Sequence, residues 1–243
     1  MNRFYCLSVD VSADTITITD KSQVHHIKDV IKLKEGERVF VFDDKANEFD
    51  CVIGQIAPTQ VVFAINKKIS AGVVSGPIVT IACAIPKHSK IDDIVDRLSQ
   101  LGVDRIIPLM TERVIVRLDK QKQSTKQARW QKIALAASKQ SQRSTVMFVD
   151  EVTEFKELIL NAQEYDLKLI PTLHGKRTLL SGILNENQPK KVLALIGPEG
   201  DFTPEEISIA KKSGFIPVSF GDFVFRVETA CLYIASILSY EYK

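Results

Sequence analysis

The stretch Leu195-Ile196-Gly197-Pro198-Glu199-Gly200-Asp201-Phe202-Thr203-Pro204-Glu205-Glu206, LIGPEGDFTPEE, carries an apolar strand into a Gly-Pro-Glu-Gly turn and then into a helix. Each residue has a local reason to be there. Glycines suit a tight turn, Thr203 suits an N-cap, Pro204 fits the first helical position, and Glu206 three residues after Thr203 completes a capping box. Units of this kind build parallel α/β sheets, in which ligands bind beyond the carboxyl ends of the strands. The turn around Glu199 is therefore either a well-made connection or one wall of a pocket.

The segments on either side fit the same architecture. PIVTIACAI (77–85) is a continuous apolar run, as a strand buried on both faces requires. SKIDDIVDRLSQLG (89–102) reads as a helix with Ser89 as N-cap and Gly102 as its stop. RIIPLM, a basic helix, VMFVDE, the helix around FKELILNA, LKLIP, VLALIG, the Thr203 helix, FIPVSF and a final helix follow. This alternation predicts a parallel sheet with crossover helices.

The first 70 residues differ in texture. FYCLSV, TITIT (15–19), RVFVF (38–42), FDCVIGQI (49–56) and VVFAI (61–65) read as short strands, with one helix from Ser22 to Leu33 carrying Val24, Ile27 and Ile31 on one face. Strands so closely spaced predict a small β-barrel. SAGVVSGP (70–77) supplies the small residues of a linker, so two domains are expected, 1–72 and 73–243.

Composition narrows the class. A chain of 243 residues with 45% hydrophobic content is an ordinary globular protein. No apolar run approaches a membrane span and MNRFYCLSVD lacks the layout of a signal peptide, so a cytoplasmic location and no membrane partner are expected. Cys6, Cys51, Cys83 and Cys231 lie far apart without a C-x-x-C pair, and the four histidines form no H-E-x-x-H. Free buried thiols and no metal site are expected.

Net charge is only +2, but it is unevenly distributed: from Arg113 to Arg143 nine basic residues stand against one acid, Asp119. At 100° per residue Arg129, Lys132, Lys139 and Arg143 fall on one side of a helix, and Trp130, Ile133, Ala134 and Ala137 opposite. That predicts a basic stripe suited to phosphates, with a merely solvated face as the plain alternative. The last helix, Val227 to about Tyr240, is apolar nearly all round and is expected to be partly buried in a homodimer.

A second loop, Phe220-Gly221-Asp222-Phe223-Val224-Phe225-Arg226-Val227-Glu228-Thr229-Ala230, ends the next strand and sets Arg226, Glu228 and Thr229 where the last helix begins. Glu228 and Thr229 favour a helix N-terminus and Arg226 can pair with a carboxylate, which is the structural reading. The functional reading is that this loop and the Glu199 turn, ending neighbouring strands, meet as a pocket. G-x-G-x-x-G and G-x-x-x-x-G-K-[ST] are both missing, which weakens nicotinamide, P-loop and Rossmann-type methyltransferase readings.

LALIGPEGDFTPEE followed by FGDFVFRVETA strongly resembles the RsmE family, the bacterial 16S rRNA uridine-N3 methyltransferases that use S-adenosyl-L-methionine. The likeness extends to MNRFYC, HHIKDVIKLKEGERVFVFD, KHSKIDDIVDRLSQLGVDRIIPLMTERV and ARWQKIALAASKQSQR, and so covers the whole chain. It implies an α/β SPOUT-type parallel sheet with a C-terminal trefoil knot, preceded by a small PUA-like β-barrel that helps hold RNA. It also implies a homodimer with the pocket near the subunit interface.

The resemblance assigns Pro171, Thr172, Ile196, Gly197, Pro198, Glu199, Gly200, Phe220, Gly221, Val224, Phe225 and Thr229 to the cofactor. Arg226 would orient the base or stabilise charge on it, and Glu228 would orient Arg226 or act as base. Arg3, Lys87, Arg113, Arg129, Lys132, Lys139 and Arg143 are the expected contacts to 16S rRNA, within the small ribosomal subunit. Asp201 stands where the family usually has another glycine, and Asp222-Phe223 where it usually has a basic or polar residue; both departures bear on the cofactor contacts. Two other readings share these features: a SPOUT enzyme acting on another RNA or atom, such as a ribose 2′-oxygen, and a non-catalytic RNA-binding module.

Overall fold

The computed structural model describes residues 2–69, 76–87, 90–116, 119–184 and 188–242. The chain divides into two compact units, Met1–Val74 with Ser138–Val146, and Ser75–Ala137 with Met147–Lys243. Most of the linker expected at 70–77 lies outside the described residues.

In the first unit, strands β1 (Arg3–Cys6), β2 (Thr15–Ile18), β3 (Arg38–Asp43), β4 (Glu48–Ile56) and β5 (Val61–Ile69) form one sheet in the order β1-β3-β4-β5-β2. Period-two patterning explains it. Ile16 and Ile18 of TITI, and Val39 and Val41 of RVFVFD, point to one side and are fully or almost fully buried. Two register shifts in the β4–β5 ladder, at Asp50/Cys51 and Ile53/Gln55, bend the sheet, and the edge strands β1 and β2 approach each other. The resulting barrel-like wall encloses Phe4, Phe49, Cys51 and Phe63. Helix α1 (Lys21–His25) continues through a π-helical turn, His26–Val30, and contributes Val24 and Ile27 to this core, while Ile31 is only half-buried. Burial pushes the Cys6 and Cys51 thiols up to about 12, so both stay protonated and inert at neutral pH.

The second unit is built on a parallel sheet. Its strands are β6 (Ile78–Ala84), β7 (Arg105–Met110), β8 (Phe148–Val149), β10 (Leu167–Pro171), β11 (Thr178–Leu179), β12 (Lys191–Ile196) and β13 (Ile216–Ser219), in the order β11-β13-β10-β12-β6-β7-β8, with β9 (Thr153–Glu154) pairing β7. Every pairing in it is parallel. The central runs IVTIACA and KVLALI are apolar on both faces because both faces are covered. Helices α4 (Phe155–Asn161) and α6 (Pro204–Lys212) supply Leu158, Ile159, Ile207 and Ala210 to a core with Leu109, Ile170, Leu195 and Phe202. Helix α7 (Val227–Tyr242) packs on β6, on β12 and on α2 (Ile91–Gln100).

Several local expectations are met differently. The N-cap of α2 is Lys90, whose side chain makes no capping bond, and Ser89 lies outside the described residues. Helix α3 (Lys120–Gln140) buries Trp130, Ala134 and Ala137, but Ile133 is half-buried and lies in an outward groove with Arg129 and Lys132. Helix α5 (Leu180–Leu184) follows β11 directly. The strands before the two candidate loops are not neighbours: β10 stands between β12 and β13.

Candidate functional site

That strand order decides the site. Because β13, β10 and β12 are consecutive in the sheet and parallel, their carboxyl ends lie side by side and the three loops that leave them converge. They line a concave cleft that is open to solvent, the kind of place where α/β sheets bind ligands. The loop after β10 contributes Thr172 and Leu173, the loop after β12 contributes Gly197 to Glu199 and Asp201, and the loop after β13 contributes Phe220 to Phe225 apart from Asp222.

The middle loop is rigid for reasons visible in its sequence. The Asp201 amide donates to the Pro198 carbonyl at 2.9 Å, closing the Pro198–Asp201 turn, and Asp201 itself sits at φ +59°. The Thr203–Glu206 capping box is formed: Glu206 N donates to Thr203 Oγ1 at 3.2 Å and Thr203 N to Glu206 Oε2 at 2.9 Å. The other oxygen, Glu206 Oε1, accepts from the Glu112 amide at 2.9 Å, fastening the loop after β7. Arg113 Nη1 donates to the Gly200 carbonyl at 2.5 Å, and the Lys87 amide donates to Glu199 Oε1 at 3.4 Å. A Cβ on Gly197 would meet the buried Phe202 ring at 3.1 Å, so close backbone approach to that ring requires glycine there.

Asp201 joins two walls. Its Oδ2 accepts from Thr172 Oγ1 and from the Leu173 amide, both at 2.8 Å, and its Oδ1 accepts from the Phe202 amide at 2.7 Å. Asp tolerates a left-handed backbone better than most residues, so the chain keeps the turn that glycine would allow and gains three bonds.

Of the residues expected to hold a cofactor, Pro171, Thr172, Ile196, Gly197, Pro198, Glu199, Phe220, Gly221, Val224 and Phe225 line this cleft. Gly200 packs toward Arg113, and Thr229 faces a separate groove on α7 with Leu232, Tyr233 and Ile237. Leu173, Arg177, Val218 and Ser219 also line the cleft, and no motif in the sequence marks them. Only their place at the ends of β10 and β13, or beside β11, brings them in. Arg177 Nη1 donates to the Thr172 carbonyl at 3.2 Å.

Arg226 is exposed immediately before α7, between the lining residues Phe225 and Val227 but not itself part of the lining. Glu228 does not bond Arg226. It accepts from Lys90 Nζ at 2.6 Å, and that hydrogen bond first, followed by lesser contributions including the charge of Arg226, holds its carboxyl below the usual range. Lys90 had no signal in the sequence, since its partner is 138 residues away.

The expected RNA contacts separate into two groups. Lys87, Arg113, Arg129 and Lys132 are exposed. Arg129 pairs with Asp92, whose other oxygen accepts from Trp130 Nε1 at 3.0 Å, yet its side chain remains 69% exposed. Arg3, Lys139 and Arg143 are instead engaged within the first unit. Arg3 Nη1 pairs with Glu48 at 2.6 Å with its side chain 10% exposed, and Nη2 donates to the Arg143 carbonyl at 3.3 Å. Arg143 Nη2 donates to Thr145 Oγ1 at 3.0 Å, and Lys139 Nζ donates to Gln23 Oε1 at 2.9 Å. Burial pushes the Lys139 ammonium below its ordinary value. The stripe drawn on a helical wheel thus ends at Lys132.

Apolar walls at Ile196, Val218 and Val224, with main-chain polar groups from three strand ends, fit a ligand that has a flat apolar part and polar branches. Among the described residues no group of three or more metal-ligating side chains occurs.

Comparison with known proteins bears on this geometry. Residues 75–239 match the model of the RNA methyltransferase domain, and residues 18–66 that of the RNA methyltransferase PUA domain. Ribosomal RNA small subunit methyltransferase E of Bacillus subtilis is 29% identical over 235 residues, covering 94% of this chain and 91% of that protein. Its namesake in Mesomycoplasma hyopneumoniae is 27% identical over 234 residues, covering 96% and 97%. The crystal structure of a ribosomal RNA small subunit methyltransferase E from Neisseria gonorrhoeae, bound to S-adenosyl methionine, superposes with a TM-score of 0.86 at 26% identity, covering 99% of this chain and 97% of that one.

Proposed function

The chain belongs to the RNA methyltransferase domain family, and from that premise we propose that it transfers the methyl group of S-adenosyl-L-methionine to N3 of a uridine in 16S rRNA of the small ribosomal subunit. The observation that carries this reading is the cleft at the ends of β13, β10 and β12, closed by the Asp201 bonds and flanked by the exposed guanidinium of Arg226.

When bound, the cofactor supplies an electrophilic methyl group; Ile196, Val218 and Val224 would hold its apolar part, and the main chain around Gly197 and Gly221 its polar part. The protein's own contribution is placement and charge. N3 lies on the pairing edge of uracil, so the target base has to be unpaired before it can enter. As the imide gives up its N3 proton to solvent water, negative charge spreads over the ring, and Arg226 is the cation set to stabilise it until N3 takes the methyl group. Glu228, held by Lys90 below the usual carboxyl range, is a weak base. Its role is to position: it fastens the first turn of α7, and with it Arg226, to α2.

The remaining proposals follow from the same frame. Strand β12 returns between β10 and β6, both laid down earlier in the chain, and this supports a knotted C-terminal segment. The barrel-like first unit is an RNA-holding domain, and Arg113, Arg129 and Lys132 are phosphate contacts on the second. Leu232, Tyr233, Ile237 and Tyr240 leave an apolar outer face on α7, which supports a homodimer. The proposed ribosomal RNA substrate supports a cytoplasmic location.

The test is nucleoside mass spectrometry of 16S rRNA after the purified protein and S-adenosyl-L-methionine are incubated with small ribosomal subunits lacking the modification. New N3-methyluridine is expected. Methylation at another atom, such as a ribose 2′-oxygen, would overturn the assigned chemistry, and cofactor binding without transfer would point to another RNA.

A further inference from the structure

One feature of the cleft is unexplained by cofactor binding. Phe223 lines it yet remains 76% exposed. The other rings nearby are satisfied by one another: Phe220, Phe225 and Tyr233 form a trio with centroids 5.0 to 6.1 Å apart. Among the described residues Phe223 has no ring partner. Its loop is nevertheless built, since Ser219 Oγ accepts from the Gly221 amide at 3.2 Å and donates to the Gly221 carbonyl at 3.3 Å. Gly221, at φ +100°, adopts a backbone that other residues rarely take.

We propose that Phe223 is a stacking platform for the unpaired base of a single-stranded RNA segment entering the cleft. This deepens the reading above and rests on it. The choice of occupant comes from charge. Arg177 lines the same cleft and Arg226 follows in the same loop, and both are exposed. An exposed ring in a cleft that also carries an exposed guanidinium, with a second in the same loop, matches a single strand, whose bases offer π-faces and whose phosphates offer negative charge. An apolar peptide would use the ring and leave both cations unmatched. Stacking leaves the pairing edge free, as attack from N3 requires.

The experiment compares the full-length wild-type chain with Phe223→Ala and Phe223→Trp. Binding of a short fluorescent oligouridylate is measured in the presence of S-adenosylhomocysteine, with S-adenosyl-L-methionine affinity measured by calorimetry and oligomeric state by sedimentation. Phe223→Ala is expected to weaken oligouridylate binding at least about fivefold while Phe223→Trp keeps it, as for a stacking contact. Cofactor affinity and oligomeric state are expected to stay unchanged in both. Unchanged oligouridylate affinity in Phe223→Ala, or no binding by the wild type, overturns the platform. A parallel loss of cofactor affinity would assign the ring to the cofactor, and dissociation of an oligomer would assign it to a second copy; either overturns it. Ring-dependent binding by a wild-type protein that transfers no methyl to RNA would keep the platform and overturn the proposed reaction.

Discussion

Thr172 Oγ1 donates a 2.8 Å hydrogen bond to Asp201 Oδ2, and through it the loop that ends β10 is fastened to the loop that ends β12. Both residues are buried, Thr172 at 6% exposure and Asp201 at 8%. Leu173 N completes the link on the same oxygen. Two walls of the cleft therefore move as one.

Replacing Asp201 separates the backbone requirement from the bonding. Asp201→Gly accepts the left-handed backbone but removes three acceptor contacts, and a loss of about 1–3 kcal/mol is expected from stranding buried donors. Cofactor affinity should fall as well, because the loop after β10 is released. Urea unfolding and calorimetry measure the two effects, and a Gly variant indistinguishable from wild type in both would show that the link holds nothing in place.

Gly197 is a steric question. Its Cβ would stand 3.1 Å from two carbons of the fully buried Phe202 ring, which packs against Phe155. Gly197→Ala is expected to destabilise by roughly 1–3 kcal/mol, the range for overpacking in a core. Pairing it with Phe202→Leu should recover part of the loss, and additive effects in equilibrium unfolding would contradict the contact.

The Lys90–Glu228 pair predicts a pH dependence. A carboxyl whose folded pKa lies below its unfolded value, about 4.3 for Glu, adds stability above that value and loses it as pH falls through the folded pKa. Glu228→Gln should therefore flatten the acid limb of a melting-temperature profile. It should also lower transfer while leaving the neutral limb of the pH–rate profile in place, as suits a positioning group. Disappearance of a titration near neutrality would instead identify Glu228 as the base.

Arg226→Ala is expected to abolish methyl transfer with the fold and cofactor affinity retained, since Arg226 is exposed and is not itself one of the residues that line the cleft. Circular dichroism, calorimetry and a transfer assay decide it, and near wild-type turnover by a folded variant would remove Arg226 from the mechanism.

The two lysines of α3 should behave oppositely. Lys132 is exposed, and Lys132→Ala should weaken RNA binding and lower its salt slope by about one. Lys139 is half-buried against Gln23, and Lys139→Ala should lower the melting temperature with little change in salt slope. Equal salt slopes for the two variants would restore the continuous stripe.

What the sequence determined by itself is local. Alternation in TITI and RVFVFD, the continuous apolar run IVTIACA, and the Thr203–Glu206 box specify their own elements because period, propensity and capping act over a few residues. The LIGPEGDFTPEE and FGDFVFRVETA motifs likewise named most of the cleft. Only the tertiary structure decided what those elements meet. It set β10 between β12 and β13, gave Asp201 a partner at Thr172, paired Glu228 with Lys90 instead of Arg226, and drew Arg3, Lys139 and Arg143 into the first unit. Each of those contacts spans from 29 to 140 residues of chain. A side chain's charge is written in its letter, but whether that charge faces solvent or a partner depends on strand order, which brings distant segments together and leaves no periodic trace along the chain.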